Sequence, residues 1–450
     1  MKERAVALEE AIVKLAEAKK YASLRDFLAT LNPADIAGAF GELSDQALPL
    51  VFRLLPKELA AETFVEMETE QQEILIRGFS DSELKAVVEE LYVDDAVSLV
   101  EEMPANVVSR ILAQADPDTR KMINTILQYP EDSAGSVMTT EFVELQGAMT
   151  AQQAIEHIRK VGVDKETINT CYITGRTHKI KGVVSIRSLI LADPDAKCVD
   201  LMSPNLVTVN TLEDQETVAQ MFAKYNFNAL PVVDADNRLL GIVTMDDAMD
   251  ILEAETTEDM EKMAAMTPSD KPYLSTGVFA IWKNRIPWLL CLMAAAWITG
   301  WVISAYEDTL LACTALMAYI PMLMDAGGNA GAQTNVSVVR GLSIQELELQ
   351  DLLKVMWKEV RVALLCGLTM AVVTFVKLLA LDQVGAAVAL AVSLALVCTV
   401  VVAKLVGCLC PMLAKKLGFD PAIMASPIIT TLVDIVSLLV YFLAANALLV

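Results

Sequence analysis

Histidine is almost missing from this chain: its 450 residues include only His157 and His178, and no HExxH or GxSxG occurs. That removes the zinc-hydrolase and serine-hydrolase classes, whose chemistry needs those groups at those spacings. No pair of the eight cysteines forms CxxC or lies beside a histidine, and Cys408 and Cys410 fall inside an apolar helix. They read as small reduced packing residues, which places the polar part of the chain in a cytosolic setting. Positive charge is also scarce, with 35 Lys and Arg against 58 Asp and Glu. The deficit lies in the first 270 residues, 24 against 48, while from Lys271 onward the counts are 11 and 10. Such a balance repels phosphate backbones, so nucleic acid is excluded and cations are the expected partners, although a plain solvated acidic surface gives the same count. The opening MKERAVALEEAIVKLAEAKK is a charged amphipathic helix without an apolar h-region, so no signal peptide is expected.

Residues 1–130 repeat short phrases such as LNPADIAGAF, LPKELAAETF and FSDSELKAVV, each starting with Pro, Asp or Ser and continuing at helical spacing. This predicts a helical domain of stacked hairpins, a superhelical solenoid. Two copies of a strand-helix-strand-strand-helix pattern follow, over 131–200 and 201–253, ending in GVVS at Gly182–Ser185 and GIVT at Gly241–Thr244. These copies resemble tandem CBS regulatory domains of α/β type. An acidic helix begins in MDDAMDILEAETTEDMEKM, and 254–282 is expected to be an acidic connecting helix, a plug leading into the apolar region 283–450. There five spans are expected, near Ile286–Tyr306, Leu310–Val338, Val360–Leu379, Val384–Leu409 and Ala422–Leu449. Lys283, Arg285, Arg340, Lys354, Lys358, Arg361, Lys415 and Lys416 flank one side of these spans, and Glu307, Asp308 and Asp382 the other. By the positive-inside rule the N-terminal domains are cytosolic and the C-terminus lies outside, in a multi-pass protein of the plasma membrane.

Two sets of residues carry the expected chemistry. Asp434 lies mid-span among apolar and hydroxyl groups, and a lone carboxylate in lipid is costly unless it faces water or an ion. Thr430 and Thr431 precede it by about one turn on the same face. MLMDAGGNAGAQTNVSVVRG, at 322–341, puts Asp325, Gly328, Asn329 and Gly331 in another span. Its glycines fit backbone carbonyls reaching a narrow pore, close helix packing, or both at once. Asp325 fits either the pathway or a bond to a neighbouring helix. Magnesium sheds water reluctantly, so a hydrated ion held by few carboxylates with carbonyl and amide oxygens suits this set. The second set is soluble: Asp94 and Asp95, with Asp246, Asp247, Asp250, Glu255, Glu258 and Asp259 crowded before the first span. Their mutual repulsion would be relieved by a bridging divalent cation. An aspartyl protease built on Asp325 and Asp434 is disfavoured, because Asp434 sits in LVDIV and not GxGD.

Over its whole length the chain resembles the MgtE family of magnesium channels and transporters. The resemblance rests on PMLMDAGGNAGAQT at Pro321–Thr334 and DPAIMASPIITTLVD at Asp420–Asp434, behind the domain order above. It implies a non-enzymatic, homodimeric path for magnesium and other divalent cations across membrane lipid, shut by intracellular magnesium that draws the acidic domains together. CBS domains often take adenine nucleotides through G-h-x-[ST]-x-x-D. The second copy matches with Gly241, Thr244 and Asp247, but the first ends in Ser188 where the ribose-binding aspartate is expected, which leaves ATP open and Asp247 available to magnesium.

Overall fold

The computed structural model describes residues 2–269, 273–274, 276–424 and 426–449, and divides into two compact units, Met1–Leu252 and Glu253–Val450.

The first unit opens with ten helices between Lys2 and Ile126. Helices Pro33–Phe40, Lys57–Val65, Asp81–Val88 and Ala105–Gln114 stack in series, as the repeated phrases predict. Sequence punctuation sets their starts. Pro33 and Pro117 occupy first-turn positions where a missing N–H costs nothing, and Ser80 with Glu83 closes a capping box. Their inward faces bury Ile36, Phe40, Phe64, Leu75, Leu84, Val88 and Ile111 in a core continuous with Phe222, Leu230, Val232 and Val243 of the second repeat. The two repeats have one topology. In the first, β1 (Val143–Gln146) runs parallel to β2 (Thr170–Thr174), which pairs antiparallel with β3 (Ile180–Ser185). In the second, β4 (Val209–Asn210), β5 (Ala229–Val233) and β6 (Leu239–Thr244) do the same. The hairpin turns join through Ile180 N–H to Asn237 O at 3.2 Å and Leu239 N–H to His178 O at 3.0 Å.

The acidic helix starts at Met245, directly after β6, and runs unbroken to Met263. Thr244 accounts for the start, because its N–H donates to the Asp247 carboxylate at 3.3 Å and its hydroxyl donates to the same oxygen.

Five long helices build the second unit: α1 (Val278–Ala305), α2 (Ile320–Ser343), α3 (Leu352–Ala380), α4 (Ala386–Lys416) and α5 (Ser426–Leu449). Among the described residues four of them, α1, α3, α4 and α5, are long and apolar enough to cross a membrane. The second expected span is shorter than its sequence window. Residues 307–319 form a short helix and a 3-10 segment, and α2 begins only at Ile320 with Pro321 in its first turn. α2 also carries Asp325 and Arg340, which lowers its hydropathy. α2 packs on α4 and α5, and α4 on α3, around buried Leu323, Ala363, Leu396, Val400, Ile429, Val433 and Phe442.

Candidate functional site

The glycine-rich helix α2 is two-faced. Asp325, Asn329, Gln333, Ser337 and Arg340 are exposed, whereas Gly327, Gly328 and Gly331 are buried. A Cβ on Gly327 would stand 2.9 Å from Ser437 Oγ and from Val433 Cγ1, and one on Gly328 would stand 2.8 Å from Thr430 Cγ2. A Cβ on Gly407 of α4 would lie 2.3 Å from the Gly331 carbonyl oxygen. Of the two uses open to these glycines, the structure adopts close packing. α2 is continuous, its interior carbonyls accept helical N–H groups, and they are not turned to a path as a carbonyl-lined pore requires. The amide of Asn329 is on the open face.

Opposite the glycines, α5 brings Thr430, Thr431 and Asp434 together. The threonine hydroxyls donate to Ser426 O and Pro427 O, each at 2.9 Å, which spends their protons and leaves oxygen lone pairs to accept or coordinate. Asp434 is half-buried, and its Oδ1 is a buried oxygen with no hydrogen-bond partner among the described residues. Asp325 lies within electrostatic reach of it. An unpaired carboxylate among membrane helices, beside an exposed polar stripe, is the setting expected of a hydrated cation path.

The soluble acids separate into two groups. Asp94 is 9 % exposed, and one carboxylate oxygen each from Asp94, Glu141 and Glu166 lie within 4.8 Å of one another. Glu141 accepts from Val93 N–H at 3.0 Å, at the start of helix Val93–Glu102, and Glu166 Oε2 is buried without a partner among the described residues. Burial, then Asp247, Asp95 and Glu166, pushes the Asp94 carboxyl well above the carboxylate range. Burial followed by Asp247 and Asp246 raises Asp95 to about 7, and burial followed by Asp247 and Asp95 raises Glu166 to about 8. Asp247 is raised chiefly by burial, as is Glu141. Three clustered hard oxygens and one orphaned carboxylate oxygen fit a small divalent cation. Sequence reasoning missed Glu141 and Glu166. The signal available for Glu141 was an acid two residues before the strand start at Val143, in TTEFVEL.

Of the other acids, Glu255, Glu258 and Asp259 belong to the second unit. Glu258 pairs with Lys262 at 2.8 Å, Lys262 pairs with Asp420 at 2.7 Å, and Asp259 accepts from Ser343 Oγ at 3.3 Å. Asp246 and Asp250 are exposed, and Glu255 is half-buried.

Family models match three parts of the chain: "divalent cation transporter" over 320–444, "MgtE intracellular N domain" over 31–132 and "CBS domain" over 198–254. The magnesium transporter MgtE of Thermus thermophilus is 36 % identical over 99 % of this chain and 98 % of its own length. The chain belongs to the MgtE family. The MgtE of Bacillus subtilis is 31 % identical over 98 % of this chain and 97 % of its own. A crystal structure of the cytosolic domain of the magnesium channel MgtE in complex with ATP superposes with a TM-score of 0.51 at 35 % identity, covering 55 % of this chain and 99 % of that one.

Within this MgtE chain a cavity of about 210 Å³ opens between the two CBS repeats, lined by residues including Thr170, Ser185, Asn205, Phe227 and Asn228. Thr244 and Asp247, the residues matching the nucleotide signature, are not among its lining. Their hydroxyl and carboxylate are bonded to each other.

Proposed function

We propose that two copies of this chain form a magnesium-selective path through the plasma membrane, and that cytosolic magnesium bound among the acids of the first unit holds it shut. The observation that carries this is the unpartnered Asp434 carboxylate beside the polar stripe of α2. Asp434 supplies the charge that compensates partial loss of hydration, and Thr430, Thr431, Asp325 and Asn329 supply oxygens to the ion's water shell. Gly328 and Gly331 act by letting α2 approach α5 and α4. One carboxylate per chain becomes two at a twofold axis, and a second copy covers the polar face of α2 that lipid would not.

The ends of α2 and α4 and the starts of α1 and α3 carry the cations, so they face the cytosol with the first unit, and five crossings leave the C-terminus outside. The five-part division at 130, 200, 253 and 282 belongs to this reading. In the gate, Asp94, Asp95, Asp246 and Asp247, joined by Glu141 and Glu166, hold the ion. Asp250, Glu255, Glu258 and Asp259 link the connecting helix to the same response, ion carriage being the activity and not catalysis. The cavity between the repeats suits ATP, a ligand with which a related cytosolic domain forms a complex, with Ser185 and Phe227 offering a hydroxyl and a stacking ring.

The test is magnesium uptake by vesicles containing only the purified chain. Uptake driven by a magnesium gradient, and suppressed by millimolar magnesium on the face bearing the first unit, supports the reading. Vesicles as tight to magnesium as protein-free ones would leave a sensor or scaffold in its place.

A further inference from the structure

The membrane unit holds an ion pair between buried Lys404 and half-buried Glu359 that the path does not use. Lys404 of α4 is 5 % exposed, and its Nζ lies 3.4 Å from Glu359 Oε2 of α3. Thr334 of α2, 2 % exposed, stands between them: Lys404 Nζ donates to Thr334 Oγ1 at 3.1 Å, and that hydroxyl donates to Glu359 Oε2 at 2.9 Å. One ammonium, one hydroxyl and one carboxylate oxygen thus join three helices, with Glu359 Oε2 accepting from both the hydroxyl and the ammonium.

Its position on α2 gives this triad a consequence. At about 100° per residue, Asp325, Asn329, Gln333 and Arg340 fall within an arc of about 80° on the open face. Gly327 and Gly331 lie on the reverse side, flanked by Thr334 in one direction and Asn335 in the other. Asn335 is fully buried and donates its Nδ2 to Met424 O, before α5, at 2.8 Å. The smooth glycine seam alone allows α2 to roll, because helices in lipid gain little from apolar contact and glycine offers no side chain to lock. Polar bonds on both flanks of the seam set the roll angle.

We infer that Thr334, Glu359 and Lys404 are positioning residues for ion passage: they fix the rotation of α2 and so hold Asp325 and Asn329 at the path. This rests on the proposed reading of the α2 face. Charge burial is expensive, and a pair retained in the membrane is best explained by geometry that apolar side chains would not specify.

The test uses the full chain in vesicles, with magnesium and calcium fluxes measured per folded molecule. Thr334→Val keeps the shape and the ion pair but removes the hydroxyl, while Thr334→Ser restores it. We expect Thr334→Val to reduce magnesium flux at least threefold and to change the magnesium-to-calcium flux ratio, and Thr334→Ser to recover both. The double variant Lys404→Met/Glu359→Leu, which strands no charge, should melt near the unsubstituted chain yet keep the altered ratio. Unsubstituted flux and ratio in Thr334→Val and in the double variant would overturn the assignment and leave the triad as interior filling. Absence of magnesium flux in the unsubstituted chain would instead refute the functional reading beneath it.

Discussion

Removing magnesium should loosen the first unit at pH 8 and have little effect at pH 5.5. The cause is the cluster of Asp94, Asp95, Glu141, Glu166 and Asp247, whose carboxyls are all raised in the folded chain. A folded state that holds protons more tightly than the unfolded chain is favoured at low pH. The stability due to those protons is present near pH 4 and is lost as pH climbs through about 7 for Asp95 and about 8 for Glu166. For Asp95 alone, a rise from 3.8 to about 7 corresponds to about 4 kcal/mol, reduced to roughly 2–3 kcal/mol by its partial exposure. The other members share the same repulsion, so their shifts do not add. Magnesium can replace the protons. At ten times a dissociation constant of ~10⁻³ M it contributes about 1.4 kcal/mol, a tenfold gain in protection. Amide exchange at Val93–Asp95 in the full chain reads this directly, because Val93 N–H is held by Glu141 and Asp95 N–H by Asp94. Protection should rise about tenfold with 10 mM magnesium at pH 8 and by less than twofold at pH 5.5. Glu166→Gln should raise metal-free protection at pH 8 and shrink the magnesium increment. Equal magnesium effects at both pH values would refute the reasoning.

Gly328→Leu should lower ion flux and the melting temperature together. Its Cβ already falls 2.8 Å from Thr430 Cγ2, and overpacking of this kind costs about 1–3 kcal/mol. Normal flux in vesicles would show that the α2–α5 approach is dispensable. Neutralising Asp247, Asp250, Glu255, Glu258 and Asp259 together to Asn or Gln should leave a conducting path that cytosolic magnesium no longer closes. Full inhibition of that variant, with full magnesium-dependent protease protection, would make these acids a solvated surface.

The legible parts of this fold were those governed by local pattern. Helix starts in the first unit follow Pro33, Ser80 and Pro117, and both CBS repeats follow alternating apolar residues around a short turn. Asp434 stood out in the sequence because a charge in an apolar run has few explanations, and its Oδ1 is buried without a partner among the described residues. Residues brought together by tertiary packing were not legible: Glu141 and Glu166 meet Asp94 only after the first repeat folds against helix Val93–Glu102. Sequence left the α2 glycines two compatible uses, since both place small residues in a span, and the contacts with Thr430, Val433 and Gly407 are those of packing. The start of α2 was misplaced by ten residues because the apolar run at 310–319 is as hydrophobic as a span, yet it turns in short segments before Pro321.

Magnesium flux through Asp434→Ala, reconstituted beside the unsubstituted chain at equal density, shows whether ions pass Asp434. Asp434 Oδ1 has no partner to lose among the described residues, so the substitution should leave folding intact. Magnesium uptake should fall by at least tenfold while the variant melts as the parent does. Undiminished uptake by a folded Asp434→Ala chain would contradict the proposed ion path.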